Sequence, residues 1–236
     1  LTVAEPTSLG IIESTSLVAD CYGSNGSIPV TGSVGTLTWE SSVDGVNNWS
    51  PVSNGSYNNL QAPKYFRVSA QNTSACQTLV SKPILLTVKN LWTGKTNTNW
   101  DMDLNWSDGH VPSVSGCPSV VIDEVKPVYN NRYPILRIDE TVEVNNVIVK
   151  PNASITLGNN SKFKIAGAVT SSGSIDARTG ILEFNGTSTQ TISSSMFKDT
   201  TIRNLVVSNG SANGLVVNSS GSSLAITDKI SFGSAT

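Results

Sequence analysis

The sequence predicts an all-β protein built from two dissimilar parts, and three observations lead to this prediction. Charged residues make up only 14% of the 236 residues, against roughly a quarter in typical globular domains. Apolar residues occur in short segments that Gly, Asn and Ser separate, and no segment has the apolar stripe of an amphipathic helix. The pattern of these segments changes near residue 90, which favours two domains in a chain of this length.

The first part, residues 7–90, is predicted to form a β-sandwich. Gly- and Asn-rich turns separate its short alternating segments, as is typical of sandwiches. Trp39 and Trp49 are expected to fill the core. Arg67 has two alternatives, an ion pair with Glu40 and the more common solvated arrangement. Alternation of apolar and polar residues indicates four strands, at residues 27–30, 36–40, 65–69 and 84–88.

The three cysteines are Cys21, Cys76 and Cys117. None has CxxC spacing, so a zinc site is not indicated. Two cysteines in one small β domain favour a disulfide and an oxidising compartment. We therefore predict a Cys21–Cys76 disulfide at the periphery of the first domain, and a Cys117 that behaves as a buried small hydrophobic residue.

Several spaced motifs of the first part follow one another in a recognisable order. They are Cys21-Tyr-Gly23, Trp39-Glu-Ser-Ser-Val-Asp-Gly45, Asn48-Trp-Ser50 and Tyr65-Phe-Arg67. In this order they resemble the immunoglobulin-like repeats found in tandem in very large surface proteins of the Bacteroidota. The resemblance covers essentially the whole first domain, and it implies an immunoglobulin-like fold for the sandwich.

A tryptophan-rich junction occupies residues 91–118. Trp92, Trp100 and Trp106 lie among turn-forming residues, and large aromatic residues in such a context suit a cap over an exposed end of a core. We therefore predict that these three indoles cover the N-terminal end of the domain that follows. Their spacing, with that of Gly94, Gly109 and Pro112, resembles a second motif of the same protein group, which precedes a solenoid-like β region there.

Two binding functions are alternatives to a plain cap at this junction. Asp101, Asp103 and Asn105 have the alternating spacing of calcium ligands, although the Gly and Glu that complete an EF-hand loop are missing. Trp100 or Trp106 is the other candidate, as a stacking platform for a glycan.

The second part, residues 119–236, is predicted to form a parallel β-helix. Its apolar segments are too short for a broad sandwich, but stacked coils would bury each segment on the next. Equivalent segments recur at irregular intervals of about 17 to 24 residues, which favours a β-helix over a strict short repeat. By analogy the helix is expected to be right-handed. It is also expected to be truncated at its C-terminal end, because the sequence is strand-like up to its last residues. The alternative is a second β-sandwich.

The two ends of the chain suggest a piece of a longer protein. Leu1-Thr2-Val3 is repeated at residues 86–88, where a domain is expected to end. Residues 1–6 are therefore expected to be the end of a preceding domain.

Some classes of function are disfavoured by the sequence. The net charge is −2, with no basic patch for nucleic acid and no apolar run that would insert into a membrane. Polysaccharide-degrading β-helices need paired carboxylates. Glu143 and Glu183 are expected to point outward, as ordinary solvated side chains. We predict no catalytic residue and no cofactor.

As a whole, the chain resembles part of a giant gliding-motility adhesin of the Bacteroidota, a cargo of the type IX secretion system. The resemblance implies a non-enzymatic structural and adhesive segment, outside the cell at its surface. The implied partners are neighbouring domains of the same chain, surface glycans and, during export, the secretion machinery. The alternatives are a carbohydrate-binding module and a fragment of a β-helix enzyme that degrades polysaccharide.

Overall fold

The protein consists of two compact units, Leu1–Lys89 and Asn90–Thr236. The structure is a computed structural model, and it describes residues 5–12, 18–218 and 222–233. The repeated Leu1-Thr2-Val3 segment, on which the expected end of a preceding domain depends, lies outside the described residues.

Within its described residues, the first unit contains ten short strands and one 3₁₀ turn, Ser53–Gly55. The strands are β1 (Ile11–Ile12), β2 (Val18–Asp20), β3 (Gly26–Ser27), β4 (Val30–Thr31), β5 (Thr36–Ser42), β6 (Ser50–Val52), β7 (Ser56–Tyr57), β8 (Lys64–Gln71), β9 (Leu79–Val80) and β10 (Ile84–Val88).

One larger sheet dominates this unit, with the strand order β2-β10-β8-β5-β6 and β9 added beside β8. β2 and β10 are parallel, whereas β10, β8, β5 and β6 pair antiparallel. Two further pairs, β1–β4 and β3–β7, are antiparallel. Phe66, Val68 and Ala70 of β8 are fully buried, while the alternating Tyr65 and Arg67 point to the opposite face of the sheet.

In the second unit, residues 90–218 and 222–233 contain twelve strands and three 3₁₀ turns, Asp103–Asn105, Pro127–Tyr129 and Ser194–Met196. The strands are β11 (Ser119–Ile122), β12 (Ile135–Leu136), β13 (Thr141–Val144), β14 (Asn146–Val149), β15 (Ser154–Leu157), β16 (Lys162–Ile165), β17 (Val169–Ser171), β18 (Ser174–Phe184), β19 (Gln190–Ser193), β20 (Phe197–Val207), β21 (Leu215–Asn218) and β22 (Ala225–Phe232).

These twelve strands form a parallel β-helix of about five turns. The first coil contains β11, β12 and β13, and the second contains β14, β15 and β16. In the next three coils the second and third strands merge, giving β17 with β18, β19 with β20, and β21 with β22. Parallel ladders join every coil to the next, through β11–β14, β12–β15 and β13–β16, then β14–β17, β15–β18 and β16–β18, then β18–β20, and finally β19–β21 and β20–β22. The predicted β-helix is therefore confirmed, and the alternative of a second β-sandwich is wrong.

Stacked apolar side chains fill the interior of the β-helix. Val142 pairs with Phe163, Phe163 with Leu182, and Leu182 with Leu205, and all four side chains are buried. The sequence interval from Phe163 to Leu182 is shorter than that from Leu182 to Leu205, because the corners between strands differ in length. One hydrophobic cluster runs without interruption from Trp92 to Leu205.

The corners bring the backbones of successive coils very close together. A Cβ atom on Gly158 would lie 2.3 Å from the carbonyl oxygen of Leu136, one coil earlier, and a Cβ on Gly173 would lie 2.3 Å from that of Ala153. A methyl group at either position would collide with backbone, so these corners require glycine.

Within the residues that the structure describes, helix occurs only as 3₁₀ turns of three residues. None of these combines the length and the apolar character that a membrane-crossing helix needs.

Candidate functional site

The chain segment before the first coil lies on that coil as an incomplete extra rung. Leu91 forms a parallel bridge with Val121, and Asn99 forms one with Ile135. The N–H of Val121 donates to Asn90 O at 3.0 Å, and the N–H of Ile135 donates to Thr98 O at 2.7 Å. The backbone edge of the first coil is thereby hydrogen-bonded, which removes a site for unwanted strand pairing.

Three indoles close the N-terminal end of the β-helix above this edge. Trp92, Trp100 and Trp106 are only 2%, 1% and 2% exposed. The Trp106 ring packs edge-on against Trp92 and Trp100, with centroids 5.0 Å and 4.9 Å apart. Trp100 in turn packs edge-on against Phe163 of the second coil at 5.5 Å, so the indoles continue the core of the coils. We call these three side chains the indole cap.

Hydrogen bonds from two of the indoles fix their orientation. Trp92 Nε1 donates to the carbonyl oxygen of Arg132 at 2.7 Å, and Trp106 Nε1 donates to that of Trp100 at 2.9 Å. Buried indole N–H groups normally need such partners. Trp92 finds its partner in the loop of the first coil and Trp106 in the backbone of the cap, whereas the buried Trp100 Nε1 has no hydrogen-bond partner among the described residues.

Asn105 organises the loop that carries the indole cap. Its side chain is fully buried. Oδ1 accepts the N–H groups of Thr96 at 2.9 Å and Asn97 at 3.0 Å. Nδ2 donates to Asn97 Oδ1 at 2.8 Å and to Asn99 O at 2.9 Å. The carboxamide thus uses all of its hydrogen-bonding capacity, a role that the sequence did not reveal.

The structure contradicts the calcium alternative at this loop, because the three candidate ligands already have partners within the protein. Asn105 Oδ1 already accepts two backbone N–H groups. Asp101 forms an ion pair with Arg137, and Asp103 Oδ1 accepts the N–H of Val111 at 2.9 Å. In the described part of the chain, no three His, Cys, Asp or Glu residues cluster in a way that could hold a metal ion.

The glycan-stacking alternative at the cap is also wrong. Trp100 and Trp106 are buried almost completely, and each covers the other with an edge-on contact. A sugar ring needs an open aromatic face, and neither indole offers one.

The predicted Cys21–Cys76 disulfide is wrong, because Cys76 is a free thiol. Cys76 follows β8 in a surface turn, where its N–H donates to Thr73 O at 3.0 Å and its sulfur accepts the Thr73 hydroxyl at 3.2 Å. That hydroxyl bond lowers the pKa of the Cys76 thiol. Cys21 and Cys117 are disulfide-bonded. Cys117 is buried, as expected, but it is not a free thiol.

Glu143 and Glu183 lie on one outer face of the β-helix, with Lys164 between them in the ladder. Lys164 Nζ lies 2.9 Å from Glu143, and Lys162 Nζ lies 3.4 Å from Glu183. The bond from Lys164, followed by that from Asn185, lowers the pKa of Glu143. Both carboxylates of this face are therefore paired with lysine side chains.

A shallow cleft of about 600 Å³ lies beside the cap, at the corner of the first coil. Glu140 is the lining residue that sequence reasoning missed. Burial and the negative charge of Asp101 raise the pKa of Glu140 above its ordinary value. The hydrogen bond from the backbone N–H of Arg137 acts in the opposite direction but does not cancel this rise. The Arg137 side chain lies between the carboxylates of Glu140 and Asp101. It therefore ties the cap loop to the first coil.

In the first unit, a hydrogen-bonded turn joins β5 to β6. Ser42 Oγ donates to Asn47 O at 2.6 Å and accepts the N–H of Gly45 at 3.1 Å. Asp44 Oδ1 accepts the N–H groups of Asn47 at 2.8 Å and Val46 at 2.9 Å. These bonds lower the pKa of Asp44 and fix the path of the turn.

This turn delivers Trp49 to the outer face of the larger sheet rather than to the core. The expectation that Trp49 fills the core is therefore wrong, whereas Trp39 is buried. The guanidinium of Arg67 lies 4.3 Å from the Trp49 ring centroid, and Arg67 Nε donates to Glu40 Oε2 at 2.7 Å. Of the two alternatives for Arg67, the ion pair is correct. We call Glu40, Trp49, Tyr65 and Arg67 the aromatic face.

Comparison with known families bears on the first unit. Residues 9–90 match a family model described as a domain of unknown function, DUF8696. The match covers less than half of the chain. No curated protein and no solved structure matches the chain.

Proposed function

We propose that the chain is a non-enzymatic structural and adhesive segment of a large secreted surface protein. In this proposal the β-helix is a stiff stalk, and the first unit contacts a glycan or a substratum during attachment or gliding motility. The neighbouring domains of the same long chain and the type IX secretion machinery are its further partners, and its location is the outer surface of a cell of the Bacteroidota.

The observation that carries the proposal is the uninterrupted core of the second unit. The hydrophobic cluster runs from the indole cap through four coils, so the coils form one cooperative body rather than separate small domains. Parallel ladders between all successive coils add backbone hydrogen bonds along the axis. Such a body suits a spacer that carries load.

The electrostatics of the outer surface favour a structural role over hydrolysis. Carboxylates on the exposed face are paired with lysines, as in Lys164–Glu143 and Lys162–Glu183. A pair of free carboxylates flanking a cleft would be needed for glycoside hydrolysis. The disulfide-bonded state of Cys21 and Cys117 supports an oxidising compartment such as the cell exterior.

Two finer features of the fold belong to the same proposal. We assign the first unit an immunoglobulin-like topology, supported by the parallel β2–β10 pair at the edge of an antiparallel sheet and by the separate β1–β4 and β3–β7 pairs. We assign the β-helix a right hand, supported by the strong preference for right-handed connections between parallel strands.

The proposal is tested by attaching the full chain to beads and measuring their adhesion to polysaccharide-coated glass under flow. We expect adhesion without release of sugar from a panel of polysaccharides. Turnover of any polysaccharide that is lost in a Glu143→Gln, Glu183→Gln double variant would favour the enzyme alternative. Failure to adhere to every coating, with the fold intact by circular dichroism, would leave no adhesive role.

A further inference from the structure

The aromatic face of the first unit combines an aromatic side chain with unused hydrogen-bonding groups. The side chains of Arg67 and Glu40 are 31% and 26% exposed. Arg67 uses Nε on Glu40 Oε2, and within the described residues its two terminal Nη groups and Glu40 Oε1 have no hydrogen-bond partner in the protein. Two donors and one acceptor are therefore left side by side at the surface.

The aromatic components of this face are held in place. Trp49 Nε1 donates to Val46 O at 3.2 Å, which fixes the indole against the guanidinium. Tyr65 packs on the turn, since a Cβ on Gly45 would lie 2.7 Å from its ring. A site whose side chains are already fixed loses little conformational entropy when a ligand binds.

The chemistry of the face selects a neutral ligand. The Arg67–Glu40 pair has no net charge, and Glu40 would repel a carboxylate or a sulfate that approached Arg67. Adjacent donors and acceptors match the vicinal hydroxyls of a sugar, and the partly exposed indole of Trp49 matches the apolar C–H face of a pyranose ring.

We propose that the aromatic face is a binding site for a neutral saccharide, with Trp49 stacking on the ring and Arg67 and Glu40 bonding its hydroxyls. This inference rests on the proposed adhesive function and specifies its ligand class. It also moves the glycan site from the buried indoles of the cap to the first unit.

The test is calorimetric titration of the full chain with neutral oligosaccharides (gluco-, xylo- and manno-configured) and with oligogalacturonate. We expect binding of a neutral oligosaccharide, and a loss of about tenfold in affinity for Trp49→Ala, the size of one stacking contact. Trp49→Phe keeps an aromatic ring and is expected to lose less. Binding of the uronate alone, binding of no oligosaccharide, or equal affinity of wild type and Trp49→Ala would overturn the proposal.

Glu40→Gln provides a variant that keeps the shape of the site if Trp49→Ala fails to fold. It is expected to weaken neutral-sugar binding severalfold, and Glu143→Gln on the β-helix is the matched control, with unchanged affinity. Unchanged binding in Glu40→Gln would overturn the proposal. Bead adhesion separates the two hypotheses, because adhesion that persists in Trp49→Ala removes this site but leaves the adhesive function standing.

Discussion

The first and the last described coils of the β-helix contain the same kinds of inward side chain, but these side chains differ in burial. Under the indole cap, the inward residues of the first coils are buried almost completely. In the last coil, Val217 pairs with the buried Ile192 yet is 42% exposed, and Ile230 pairs with the buried Leu205 yet is 51% exposed. Phe232 of the same coil is 81% exposed. Burial here is decided by what lies above a coil and not by residue type.

The sequence that covers the first coil is unlike the coils themselves. It places aromatic rings edge-on and a buried carboxamide where the coils place stacked aliphatic side chains. The exposed backbone of a strand edge needs hydrogen-bond partners, and the apolar interior beneath it needs side chains large enough to fill it. The cap meets both demands within a short stretch, and the following predictions test how much of the stability of the β-helix depends on it.

The largest expected effect comes from removing an indole of the cap. Trp100→Ala is expected to lower the free energy of unfolding of the second unit by about 3–5 kcal/mol, because it empties a large buried site. The matched change Phe232→Ala, in the last coil, is expected to cost less than about 0.5 kcal/mol. Hydrogen exchange of the amides in β14 to β16 measures both. Equal costs for the two variants would show that the indole cap contributes no more stability than an exposed side chain of the last described coil.

A smaller loss is expected when the carboxamide beneath the cap is removed. Asn105→Ala strips the acceptor from the N–H groups of Thr96 and Asn97 and is expected to cost about 2–4 kcal/mol. Leu104→Ala is the control in the same turn, since Leu104 is 60% exposed, and it should change stability by less than about 0.5 kcal/mol. Chemical denaturation of each variant gives the comparison. An Asn105→Ala protein as stable as Leu104→Ala would refute the structural role of the carboxamide.

The pH dependence of stability near the cap should differ in sign at two glutamates three residues apart. The folded-state pKa of Glu140 is raised above 4.5, so its contribution is complete below that value and is lost as pH rises through the folded pKa. The folded-state pKa of Glu143 is lowered, so its contribution is present above 4.5 and is lost as pH falls through the folded pKa. The changes Glu140→Gln and Glu143→Gln should therefore alter the slope of stability against pH in opposite directions. Denaturation curves across the acid range test this, and slopes that shift in the same direction would contradict it.

The smallest effect is expected from the surface ion pairs. Lys164→Met removes a lysine that bonds Glu143 at 2.9 Å, and should cost less than about 1 kcal/mol, with the cost shrinking in high salt. Lys229 of the last coil has no ion pair among the described residues, and Lys229→Met should leave stability unchanged at any salt concentration. A salt-independent loss in Lys164→Met would indicate a packing role for its methylene groups.

The sequence revealed the strands whose inward positions are apolar and concealed those where they are not. Val147 with Val149, and Ile155 with Leu157, mark β14 and β15 in the sequence, because two inward apolar residues flank an outward one. β19 is difficult to recognise in the sequence, because its first inward residue is Gln190. Gln190 Nε2 donates to Ile165 O at 2.8 Å and to Gly167 O at 2.7 Å, partners about one coil away that the local sequence does not indicate.

The candidate sites differ in the same way in how far the sequence alone could predict them. The bulk and turn-rich context of Trp92, Trp100 and Trp106 sufficed to predict a cap, since large apolar surface has to be covered by something. The role of Asn105 depends on backbone groups that fold back around it, and no spacing rule encodes that. The cysteine prediction was wrong because it paired two residues by their shared domain, whereas the local turn directs Cys76 toward Thr73.

The glycines at the corners set the separation between successive coils, and the position of each coil depends on the separations before it. Coil two rests on coil one at Gly158, and coil three rests on coil two at Gly173, with no room for a methyl group at either contact. An extra atom at Gly158 would have to lift one side of the second coil, and every later coil stands on the second. A side chain of the smallest size, placed at the bottom of the stack, would therefore tilt the long axis of the whole column above it.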